Sequence, residues 1–100
     1  MVQAPRSEIV TTTANKLISQ NPKRTSLLVD NLSAQTVFDG LDVGLTTGKG
    51  TTIGVGETKI WSQEFGDDPT LARFFIVAAG TADIRIEEGF GRPVEVKVVE

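Results

Sequence analysis

Along this chain apolar residues recur at every second position, and no stretch carries the three-and-four spacing of an amphipathic helix. Residues 7–13 (SEIVTTT) are rich in β-branched side chains, and Leu17-Ile18 marks a second short strand. Residues 20–24 (QNPKR) are turn chemistry, because proline presets φ and asparagine bonds its own backbone. From Thr25 to Leu32 the pattern places Leu27 and Val29 on one face and Leu28, Asp30 and Leu32 on the other. Residues 31–35 turn the chain and 36–39 return it. Residues 40–56 are dense in Gly and Thr, with Ile53 and Val55 the expected buried positions of the second half. Residues 57–61 set Thr58 and Ile60 opposite Lys59 and Trp61, and 62–70 (SQEFGDDPT) predict the longest loop. Ala82, Ile84 and Ile86 alternate with Asp83, Arg85 and Glu87, after a tight hairpin expected at Gly80-Thr81. Val94, Val96 and Val98 share a face at the end.

Strands at this spacing predict an all-β fold. The expected form is a small antiparallel β-sandwich or barrel of six to eight short strands, with jelly-roll connectivity among the options. Residues 1–13 form an N-terminal arm or edge strand, and 14–100 form the single domain.

One segment departs from alternation. Residues 74–79 (FFIVAA) are apolar throughout, with Phe74, Ile76 and Ala78 on one face and Phe75, Val77 and Ala79 on the other. A sandwich strand has one face in water, and leaving large apolar side chains there forgoes about 1.5–3 kcal/mol each. Either the chain's own arm and loops cover the second face, or another molecule does. Lesser excesses at 27–29 (LLV) and at Val98-Val99 favour a second copy with closed symmetry. The expected interface comprises Phe74, Phe75, Ile76, Val77, Leu28 and Val99.

Composition narrows the chemistry. With 100 residues the chain is one domain's worth, and its thin core has no cysteine to reinforce it. A net charge of −3, with scattered basic residues, gives no nucleic-acid footprint. The opening MVQAPRSEIVTTT lacks the layout of a signal peptide, and no apolar run is long enough to span a bilayer. Histidine, cysteine and tyrosine are absent, which removes the commonest general base, the strongest nucleophile and the usual zinc ligands. No catalytic motif stands in their place, and Gly44 to Gly50 (GLTTGKG) lacks P-loop spacing. The expectation is a protein that is not an enzyme, without cofactor or metal. Glu64, Asp67 and Asp68 do not match a calcium loop and read as a solvated turn. Together with Trp61 and Phe65 they form the alternative site, a platform for a sugar or receptor, although a lone Trp at a strand end is more often core.

The segments NPKRTSLLVDNLS (21–33), VFDG (37–40), TTGKG (46–50), GET (56–58) and AAGTADIRIEE (78–88) together resemble a layout of small β-rich virion proteins of tailed bacteriophages. The resemblance covers residues 20–88 and implies a head-decoration or fibre-base protein. Such a protein stabilises the particle surface, binds the major capsid protein or another virion protein, and forms homo-oligomers, often trimers. It implies location in the virion and carries no catalytic residues. It also implies that residues 1–13 pair with or lie along a capsid subunit by strand addition. The alternative is a carbohydrate- or receptor-binding β-sandwich module of a phage tail or cell surface.

Overall fold

A computed structural model describes residues 5–91. They form eight strands: β1 (Arg6–Val10), β2 (Asn15–Ile18), β3 (Ser26–Asn31), β4 (Val37–Gly40), β5 (Thr51–Ile53), β6 (Thr58–Ser62), β7 (Arg73–Ile76) and β8 (Ala82–Gly89). A single 3-10 turn, Gln63–Phe65, follows β6. The expected final strand at 94–100, with Val99, lies outside the described residues.

The strands make two four-stranded antiparallel sheets, ordered β1-β8-β3-β6 and β2-β7-β4-β5. That order is a ribbon rolled up. β4 pairs with β5, β3 with β6, β2 with β7 and β1 with β8, as in one long hairpin bent at residues 41–50. Wrapping the ribbon brings β8 beside β3 and β7 beside β4, which closes each sheet. This is the connectivity of an eight-stranded jelly roll. Only the β4–β5 connection stays within a sheet; the others cross between layers.

Alternation decides which side chains enter the core. β3 and β8 bury every second residue, Leu27 and Val29 on one and Ala82, Ile84 and Ile86 on the other, as the sequence pattern requires. From the second sheet come Ile18, Val37, Ile53, Phe75 and Val77. Val55 does not join them; it stands exposed in the turn between β5 and β6.

The apolar segment 74–79 resolves differently from expectation. Phe75 and Val77 are 0% and 1% exposed within this chain's own core, so they are not a docking face. The outward pair is Phe74 and Ile76, opposite Gly40 and Phe38 of β4. Ile76 is buried and Phe74 half-buried. The bend of the ribbon covers the neighbouring strand β4. Leu45, itself buried, packs over Gly40 and Gly50, where an added Cβ would stand 2.8 and 2.9 Å from its Cδ1. Two glycines are needed there because any larger residue would lift Leu45 off the sheet. Asp42 holds the bend by accepting the Gly44 N–H at 2.6 Å.

Nor is there a tight hairpin at Gly80-Thr81. β7 and β8 belong to different sheets, and residues 77–81 arch between them with Gly80 at φ 66°. Ala78 and Ala79 lie exposed in that arch, so of the apolar run only Phe74, Phe75 and Ile76 belong to the strand. Residues 6–10 are the edge strand of the first sheet, in register with β8 from Arg6–Ile86 to Val10–Ala82. They are not a free arm.

Candidate functional site

The buried charged groups, Arg24, Asp39, Arg73 and Glu88, form two ion networks. Arg24, 1% exposed, sits in the turn before β3 and spends its guanidinium on four acceptors. Nε donates to Pro69 O at 2.6 Å, Nη1 to Glu88 Oε1 at 2.6 Å, and Nη2 to Ser19 O and Leu71 O at 2.9 and 3.2 Å. It ties the 66–72 loop and the end of β2 to β8. Arg6 of β1 closes on the other Glu88 oxygen and also donates to Leu17 O at 3.1 Å, which bridges one open seam of the sandwich.

The second network centres on Asp39, buried on the inner face of β4. It accepts from Arg73 Nη1 at 3.3 Å, Lys59 Nζ at 3.1 Å and Thr51 Oγ1 at 2.6 Å. Lys59 also donates to Thr51 Oγ1 at 2.8 Å and so bridges the opposite seam, β6 to β5. Arg73 lies over the Trp61 ring, 4.0 Å from its centroid, with Lys59 at 5.2 Å. Burial pulls the Arg73 pKa down, and the Asp39 carboxylate offsets only part of this. With its carboxylate held between two cations, this cluster is arranged to join the sheets.

Glu88 gives the first network a pH signature. Burial pushes its pKa up, but hydrogen bonds from Arg6 and Arg24 outweigh that and hold it below the ordinary 4.5. A depressed folded-state value means stability that is present above the unfolded-state value and lost as pH falls through the folded one. The denaturation midpoint is expected to stay level from pH 7 to about 5 and to fall below that. Urea titrations across pH test this, and Glu88→Gln should flatten the acid limb; an unchanged limb would assign the loss to other carboxylates.

The alternative ligand site does not assemble. Trp61 is 8% exposed and covered by Arg73, so it offers no face to a sugar ring. Phe65, 74% exposed on the 3-10 turn, stands without it. Asp67 Oδ2 accepts the Ser62 N–H at 3.2 Å, closing the loop. Asp68 accepts the Thr70 hydroxyl and N–H at 2.6 and 3.0 Å, bonds that lower its pKa. Glu64 is exposed on the same turn. Among the described residues no three His, Cys, Asp or Glu side chains come together as metal ligands, and no helix is long and apolar enough to cross a membrane.

Of the expected interface residues, Leu28 alone among those described faces outward on the first sheet. Its partner across the pair is Ile60 of β6, 52% exposed, and on its other side stands Glu87 of β8. Around them the registers place Asp30, Thr58, Arg85 and Ser7 in the next row, and Ile9 beside Asp83 beyond. Two adjoining shallow depressions share Leu28 and Glu87. Comparison with family models, curated proteins and solved structures gave no match. The outer face of the first sheet therefore has to be read from its own residues.

Sequence reasoning missed Ile60. The alternation in 57–61 is right, but its polarity is the reverse of the usual one: Lys59 points inward and Ile60 outward. The reason is Asp39, twenty residues upstream, whose buried carboxylate draws the lysine in. No local signal reports that pairing.

All four edge strands carry features that obstruct further pairing. β1 turns Arg6 and Glu8 inward and β6 turns Lys59 inward, β2 shifts register between Lys16 and Ile18, and β5 is three residues long. Inward charges, irregular edges and short strands all discourage strand addition. Any partner is thus directed to a face or to the loops.

Proposed function

We propose that this chain is a non-enzymatic structural protein of a bacteriophage particle, which binds another virion protein, foremost the capsid protein, through the outer face of its first sheet. The observation that carries the docking surface is the Leu28–Ile60 pair, two aliphatic side chains in register on a solvent-facing sheet. The assignment to a virion is supported by the resemblance of residues 20–88 to small phage β-proteins. Jelly rolls recur in viral and lectin domains, which is an analogy of fold only. The Phe75 and Val77 face is the main ground for expecting a second copy, and the resemblance alone makes that oligomer a trimer. The core takes up both residues, and the proposed partner is therefore a different molecule.

The test is cosedimentation with capsids of the parent phage from which accessory proteins have been stripped. Wild-type protein is expected to bind saturably. Leu28→Ser/Ile60→Ser should abolish binding while costing about 1 kcal/mol of stability, because both side chains face solvent. Equal binding by the double variant, or none by the wild type, would end this reading.

A further inference from the structure

Granting the reading of this face as a docking surface, its charge specifies the chemistry of what docks. The Leu28–Ile60 pair is flanked by Glu87, directly across from Leu28, and by Asp30, two residues along β3. Asp30 accepts only the Thr58 hydroxyl, at 2.8 Å, and Glu87 has no ion-pair partner among the described residues. The single cation that the registers place on this face is Arg85, and its guanidinium is already turned to Asp83. Among the described residues, an aliphatic strip is thus bordered by carboxylates with no free cation beside it.

We infer that the occupant is a basic segment of another protein, presenting an aliphatic side chain to Leu28 and Ile60 with Lys or Arg on either side to meet Asp30 and Glu87. A second copy of this chain is a poor fit, because face-to-face docking would set Asp30, Asp83 and Glu87 against their own equivalents with only Arg85 to compensate. An incoming strand at the sheet edge is discouraged by the inward Lys59 of β6. A side chain seated over the strip with flanking cations satisfies both the apolar surface and the carboxylates. The charges lie at the rim and remain partly hydrated, so they contribute mainly specificity and rate of encounter, and they respond to salt.

The experiment is an NMR titration of isotope-labelled full-length protein with two synthetic decapeptides, one alternating Lys and Val, the other Glu and Val. The Lys peptide is expected to shift the amides of Leu28, Asp30, Ile60 and Glu87 saturably, with affinity falling about tenfold from 20 to 200 mM salt. Asp30→Asn/Glu87→Gln should lose about tenfold at low salt and most of the salt dependence. The inference is overturned if the Glu peptide binds as well, if the shifts fall elsewhere, or if concentrating the protein alone perturbs these amides, the mark of a second copy. The two readings separate on the capsid: if Leu28→Ser/Ile60→Ser abolishes capsid binding while Asp30→Asn/Glu87→Gln leaves it unchanged, docking stands and the basic partner falls.

Discussion

Replacing Val77 by Asp is expected to leave no folded protein at 25 °C. Val77 is 1% exposed and packs among the side chains that join the two sheets, and its N–H donates to Thr11 O at 3.0 Å as the chain leaves β7. The substitution removes about 1.5–3 kcal/mol of apolar burial and puts a carboxylate into the apolar core cluster, at an effective cost of several kcal/mol more. A domain of this size has about 5–15 kcal/mol in all, so the loss is comparable with the whole. Circular dichroism and amide dispersion check the outcome. A folded Val77→Asp protein whose only change is in association would mean that this face is a docking surface after all.

The second large effect is expected from Arg24→Ala. Four acceptors lose their donor at once, three of them backbone carbonyls and the fourth Glu88, which keeps only Arg6. Removing one partner of a buried ion pair costs about 3–5 kcal/mol, because the remaining charge is stranded. At about 4–8 °C per kcal/mol for a domain of this length, the melting temperature should drop by roughly 12–40 °C. Calorimetry of Arg24→Ala, Glu88→Gln and the double variant tests the assignment. The double variant should be less destabilised than the sum of the singles, since neutralising Glu88 relieves the stranded charge. Strict additivity would mean that the two side chains stabilise independently.

What could be read in advance was local. Leu27 against Leu28, and Ile84 against Arg85, follow from strand periodicity alone, and so does the all-β class. What could not be read was which layer each strand enters. Gly80-Thr81 looks like a hairpin turn because the composition of a tight turn and that of an arch between sheets overlap, and only pairing partners tell them apart. The same gap hid the packing of Leu45, from the bend of the ribbon, over Gly40, the residue paired with Phe74. At the site, Leu28 was legible as an outward apolar residue. Ile60 was not, because its orientation depends on Lys59 finding Asp39 in the other sheet.

The rolled ribbon also sets a path by which this domain can be put together. Pairing β4 with β5 closes only the short bend between them, and each later pair, β3–β6, β2–β7 and β1–β8, extends the ribbon already begun, alternating between the two sheets. Loop-closure entropy is then met in increments rather than in one jump from Arg6 to Ile86. The bend at 41–50, with Leu45 seated on its two glycines, is where such zippering starts, and the outermost ladder, β1 on β8, is the last to close.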